Sequence, residues 1–198
     1  MRKIAVDRMV KLGLLAALSL VMMLIRFPLF LPFLEYDMAD VPILIGTFLY
    51  GPWWGLLLTL AVCVLQGVTV SAGSGIIGVL MHFFATGAFV IVSGLIYRKY
   101  HTFKGALMAL LCGSLTMILM MVPLNLIFTG YFMGTPIETV KALLLPAIIP
   151  FNAVKSLGNS VITLLLYKSV GRVLKLEFKR PHAKAASPAE KTEGGSEQ

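Results

Sequence analysis

The chain has 198 residues, of which 58% are hydrophobic and only 13% charged, and its mean hydropathy is +0.89. Soluble domains carry about 25% charged residues, so this composition excludes one and indicates a polytopic membrane protein. The formal net charge of +8 does not describe a nucleic-acid surface, because the basic residues flank apolar blocks instead of sharing one polar domain.

Read in chain order, the apolar blocks give an all-α integral membrane fold of six transmembrane helices within residues 1–174. The first span, residues 10–25, follows the basic start Arg2, Lys3, Arg8 and Lys11. Arg26-Phe27-Pro28 succeeds it with no small-residue cleavage pattern, so it is expected to be a retained helix and not a signal peptide. A loop, residues 26–40, then opens with the apolar run Phe27-Pro28-Leu29-Phe30-Leu31-Pro32-Phe33-Leu34. The second span is short, residues 41–50, and turns at Gly51-Pro52-Trp53-Trp54-Gly55 into a third, residues 56–70. A Gly/Ser turn at 71–75 leads to a fourth span at 76–97, and a fifth follows at 106–128. The sixth, residues 143–167, begins among Pro146 and Pro150, and a polar tail over 175–198 has the composition of a disordered cytoplasmic segment.

An even number of spans puts both termini and the loop around Arg98–Lys104 on one side. That side then holds 14 of the 17 basic residues, with Arg26 and Lys141 opposite and Lys155 inside a span. Cytoplasmic loops carry the excess of Lys and Arg, so both termini are expected in the cytoplasm of a cell-membrane, multi-pass protein.

Enzymatic motifs are lacking. No Gly-x-x-x-x-Gly-Lys-Ser/Thr phosphate loop and no His-Glu-x-x-His zinc motif occurs. Cys63 and Cys112 lie inside separate spans, without metal-ligand spacing or a disulfide framework. Ser74 between two glycines, with His82 following, could suggest an intramembrane serine protease. Ala72 stands where the first glycine of that pattern belongs, however, and a flexible turn explains Ser74 more simply.

The sharpest signal is Lys155, the only charge in the 26 residues from Ala142 to Tyr167. In a helix it lies about 18 Å from the nearer end of that stretch, farther than a lysine stem reaches to water. A charge at such depth costs several kcal/mol unless it meets a cavity, a partner or a ligand. Asn152 stands one helical turn before it and Asn159 one turn after, so all three share a face. Gln66 and Asn125 fall near the outward ends of their spans, which gathers polar groups in one half of the bundle. Asparagines beside a lysine offer both donors and acceptors, which suits a heterocycle with imide-like edges. Phe30, Leu31, Phe33 and Leu34 read either as a loop on the lipid interface or as a hydrophobic lid over such a flat ligand.

Three stretches give the chain a family resemblance: Glu35-Tyr36-Asp37-Met38-Ala39-Asp40-Val41-Pro42, Gly46 through Gly55, and Pro150-Phe151-Asn152-Ala153-Val154-Lys155. With the six-span plan they make it resemble the substrate-binding S components of energy-coupling factor (ECF) vitamin transporters, most of all the riboflavin-specific group. The resemblance implies that Asn125, Asn152 and Lys155 hydrogen-bond the isoalloxazine ring and that the loop before the second span closes over it. Asp40, Gln66 and His82 are further candidates for the binding set, although His82 alone also reads as a hydrogen-bonded packing residue. The resemblance further implies a separate membrane scaffold subunit and two ATPase subunits as partners, with riboflavin as transported ligand and no resident cofactor. Docking in the family uses a small-x-x-x-small face of the first helix. Gly13 and Ala17 are the corresponding pair here, and small residues let helices approach closely in lipid. The rival readings are an S component for another vitamin, a small intramembrane enzyme, or an assembly protein without a small ligand.

Overall fold

The computed structural model describes residues 2–30, 34–69, 75–132 and 134–179. Seven α-helices, two π-helical stretches and one small hairpin make up these residues. They are α1 (Arg2–Leu24), β1 (Phe27–Pro28), β2 (Glu35–Tyr36), α2 (Asp40–Tyr50), α3 (Pro52–Val68), α4 (Gly75–Lys99), α5 (Phe103–Leu124), α6 (Ile137–Leu143) and α7 (Ile149–Lys179). The π-helical stretches are Asn125–Phe132, which continues α5, and Leu144–Ile148, which joins α6 to α7. The all-α membrane character expected from composition holds. Gly75–Lys99, Phe103–Gly130 and Ile137–Tyr167 are each long and apolar enough to cross a bilayer, whereas α2 and α3 are shorter apolar helices.

Local chemistry explains the boundaries. The turn expected over residues 51–55 contracts to Gly51 alone, whose φ of 96° favours glycine. Pro52 then starts α3 directly, because its fixed φ suits the first helical position and its missing N–H would have no intrahelical partner there. Thr102 caps α5 by accepting a 3.0 Å hydrogen bond from the Gly105 amide. Pro123 interrupts the amide ladder just before the helix widens at Asn125. Pro150 has the same effect on the single sixth span read from sequence, which is a composite of α6, a π-helical turn and α7. The wider turn before Pro150 relieves the clash of its ring with the preceding carbonyls.

The chain forms two compact units, Met1–Leu164 and Leu165–Gln198. In the first, α2 is the central element, with Asp40 through Thr47 all buried and α1, α3 and α4 packed around it. The core joins Leu12, Ala16 and Met23 of α1 to Ile43 and Leu44 of α2, Leu58 and Val62 of α3, Phe89 and Val90 of α4, and Leu110 and Met117 of α5. Several buried hydroxyls in these helices are satisfied by nearby carbonyls or by one another. Thr47 Oγ1 donates to the Ile43 carbonyl at 2.8 Å and Thr59 Oγ1 to that of Gly55 at 2.9 Å. Ser114 and Ser160 bond across α5 and α7 at 2.9 Å. The described part of the second unit, residues 165–179, is helical throughout. The tail expected over 175–198 lies outside the described residues from 180 onward.

Candidate functional site

Asn152, Lys155 and Asn159 fall at helical spacing on α7, and the last two contact the segment that links the hairpin to α2. The hairpin pairs Phe27 with Tyr36 and Pro28 with Glu35, and the Leu29 amide donates to the Leu34 carbonyl at 2.8 Å. This return delivers Tyr36 and Asp37 to α7. Lys155 Nζ lies 2.7 Å from Asp37 Oδ2, with the two side chains only 12% and 8% exposed. The deep lysine thus has a carboxylate partner, Asp37, which sequence reasoning did not place in the site. The other oxygen of Asp37 accepts from the Ala39 amide at 3.0 Å, an Asx turn leading into α2.

Asn159 ties the same segment at three points. Its Nδ2 donates to the Asp37 carbonyl at 3.2 Å and to Asp40 Oδ2 at 3.2 Å, while Tyr36 Oη donates to its Oδ1 at 3.1 Å. Burial, and then the Asp37 charge, raises the Tyr36 phenol above its ordinary value and keeps it a donor. Gly158 makes room for this contact, since a methyl there would sit 2.9 Å from Tyr36 Oη. Asp40 is fully buried and accepts on Oδ1 from Thr86 at 3.0 Å, with His82 Nε2 at 3.3 Å. His82 Nδ1 in turn meets Gln66 Oε1. A continuous polar chain therefore runs from Gln66 on α3 through α4 and α2 to α7.

Beside this chain lies a cavity of about 200 Å³ whose wall includes Asp37, Gln66, His82, Asn152 and Lys155. Arg26 and Glu35, ion-paired at 2.6 Å, also line it. The apolar part of the wall is Met23, Met81, Ala85, Met117, Met121 and Phe151. Asn152 is 1% exposed and donates its Nδ2 to the Ile148 carbonyl at 2.8 Å, while its Oδ1 has no hydrogen-bond partner among the described residues. Leaving such an acceptor unpaired costs about 1–3 kcal/mol, which marks Asn152 as a candidate ligand contact.

Of the candidates read from sequence, Gln66, His82, Asn152 and Lys155 line the cavity, and Asp40 stands behind His82 in the polar chain. Asn125 is buried but is not among the lining residues. Its Nδ2 donates to the carbonyl of Met121, whose side chain does line the cavity, and Thr129 Oγ1 contacts its Oδ1 at 3.4 Å. Among the suggested lid residues, Phe30 is exposed with φ of 64° and Leu34 is half-buried, while Leu31 and Phe33 lie outside the described residues. Ser74 also lies outside them. Gly13 and Ala17 are both exposed, and a methyl built on Gly13 would meet nothing within 4 Å, whereas the neighbouring Ala16 is buried in the core. No group of three His, Cys, Asp or Glu residues able to hold a metal occurs among the described residues.

Comparisons with known proteins converge. The family model for ECF transporter substrate-specific components matches residues 7–167. The riboflavin transporter FmnP of Bacillus subtilis (strain 168) is 30% identical over 172 residues, covering 82% of this chain and 90% of that protein. The riboflavin transporter RibU of Staphylococcus aureus (strain TCH60) is 29% identical over 181 residues, covering 85% and 92% respectively. Among solved structures, the S component of a bacterial ECF transporter superposes with a TM-score of 0.73 at 30% identity, over 85% of this chain and 98% of that one.

Proposed function

The chain belongs to the family of ECF transporter substrate-specific components, and on that premise we propose that it is the riboflavin-binding subunit of an uptake system. It is a transport component and not an enzyme. The observation that carries the ligand reading is the orphaned Oδ1 of Asn152, one helical turn from the Lys155–Asp37 pair in the cavity wall. A flavin ring offers an imide N–H to such an acceptor and carbonyl oxygens to the lysine ammonium. Its flat apolar faces suit the four methionines and Phe151, because thioethers pack adaptably on aromatic rings. Gln66 and His82 serve the cavity's polar flank, with Asp40 orienting His82, and Asn125 supports the Met121 wall. The cavity of about 200 Å³ is smaller than the roughly 300–1,000 Å³ usual for ligand sites, so binding widens it. The hairpin carrying Phe30 and Leu34 is the element free to move outward and close again.

Six spans with both termini in the cytoplasm suit the basic-residue asymmetry of the sequence. In that arrangement the cavity opens outward and an ECF scaffold subunit, driven by two ATPase subunits, docks on the Gly13–Ala17 face of α1. Riboflavin fluorescence titrated against the purified subunit tests the ligand assignment. Wild type should quench it at one site per chain. Asn152→Leu should weaken binding about 5- to 150-fold, the cost of a buried ligand N–H left without its acceptor. Absence of quenching by wild type, or an unchanged affinity in Asn152→Leu, would overturn the proposal.

A further inference from the structure

A second cavity, of about 400 Å³, lies at the opposite end of α2 from the polar site and shares no residue with it. The eleven residues of α2, about 16 Å long, separate Asp40 at one end from Tyr50 at the other. The cavity exists because α2 and α3 are short. Gly94 of α4 packs at the level of their turn, since a methyl there would lie 2.8 Å from both Pro52 Cβ and Thr47 Cγ2. α4 continues past this point to Lys99, about 7 Å further. Gly51 and the start of α3 through Trp54 thereby line one side of a notch, and Tyr97, Arg98 and His101 line it as well.

The lining of this notch is aromatic and cationic. Phe48 stacks on Tyr97 at 4.3 Å, Tyr97 contacts His101 at 5.2 Å, and Arg8 lies 5.3 Å above the Trp54 ring. No carboxylate lines it, and Arg98 has no ion-pair partner among the described residues. The 11-residue α2 also falls short of the roughly 20 residues needed to cross the hydrocarbon core. Lipid adjusts to fill the mismatch that so short an apolar helix creates.

We propose that this notch binds the headgroup of an anionic phospholipid. Arg98 takes the phosphodiester with its planar fork, His101 offers a ring nitrogen beside it, and Arg8 over Trp54 adds positive charge nearby. Trp54 and Tyr50 border the glycerol region, the depth at which such rings accumulate in membranes. The size favours lipid over a protein segment, because a single turn of helix about 10 Å across would already fill about 400 Å³. The proposal does not depend on the identity of the transported ligand.

Native mass spectrometry of the full chain, released from micelles containing equal phosphatidylglycerol and phosphatidylcholine, tests it. Wild type should retain one phosphatidylglycerol in clear preference to phosphatidylcholine. Arg98→Gln should lose that preference by about tenfold or more, a margin of ~1.4 kcal/mol. Lys104→Gln, which removes the same charge from the exposed start of α5, should keep it. Circular dichroism checks the fold of each variant, and His101→Gln replaces Arg98→Gln if the latter unfolds. Equal retention of both lipids by wild type, or equal loss in Lys104→Gln, would sink the site. Displacement of the lipid by excess glycerol phosphate would identify a soluble phosphate ligand instead and overturn the lipid assignment. Normal lipid retention in Arg98→Gln combined with failure to assemble with the scaffold subunit would make the notch a protein contact, which also overturns it.

Discussion

Lys155 and Asp37 form one electrostatic unit. Deleting only the cation strands a nearly buried carboxylate, an effect measured elsewhere at about 3–5 kcal/mol. Lys155→Met should therefore lose riboflavin binding and also unfold at lower temperature. Adding Asp37→Asn should restore the thermal midpoint while binding stays lost. A single variant as stable as wild type would show the pair to be solvent-screened, and recovery of binding in the double variant would remove the lysine from ligand recognition. The lysine itself was legible in the sequence, because a lone charge in an apolar stretch demands an explanation. Its partner was not. Asp37 lies 118 residues away, and only the hairpin's return brings it to α7. The acidic residues of the Glu35–Asp40 segment were visible, but nothing in their spacing distinguishes one that pairs with α7 from one that stays in water.

The hairpin's return is joined to α7 by the Lys155–Asp37 pair and by hydrogen bonds of Asn159. Asn159 accepts from Tyr36 of the hairpin and donates to the Asp37 carbonyl and to Asp40 of α2, and Gly158 supplies the space. Asn159→Leu should raise hydrogen exchange at the Leu29 amide about tenfold or more, as expected when bonds of roughly 0.5–1.5 kcal/mol each are removed. Amides within α4 should exchange as before. Uniform acceleration across the chain would mean global destabilisation, and no change at Leu29 would mean that the hairpin is held by something else. Element positions were largely legible from apolar run lengths and from proline and glycine. The π-helical turns were not, because Pro123, Pro146 and Pro150 announce an interruption without saying which way the ladder relaxes. Asn125 shows the consequence. The resemblance implies a ligand contact for it, and in the structure its Nδ2 donates to the Met121 carbonyl at the start of the widened segment.

Across the whole molecule, the cavity wall and the proposed docking face on α1 share no residue. Gly13 and Ala17 are exposed and make no demand on the subunit's interior, whereas Ala16 beside them is core. Gly13→Leu or Ala17→Leu should accordingly leave riboflavin titrations of the isolated subunit unchanged and abolish uptake in cells expressing the full system. The larger side chain keeps a partner helix from close approach. Loss of binding by the isolated subunit would assign these positions to internal structure. Composition alone made the membrane class legible, because 13% charged residues cannot clothe a soluble surface. The spatial separation of the two surfaces required the fold.

The methionines of the cavity have a chemical consequence beyond packing. Met23, Met81, Met117 and Met121 present four thioethers around one small space, and each can take up oxygen to become a sulfoxide. That conversion turns an apolar wall into a polar, stiffer one, and it is reversed enzymatically by sulfoxide reductases. Brief peroxide treatment should depress riboflavin affinity, and subsequent reductase treatment should restore it. A variant with leucine at Met81 and Met117, a near-isosteric exchange, should resist the loss. On the proposed assignment, oxidation of this wall would act as a reversible covalent control of binding.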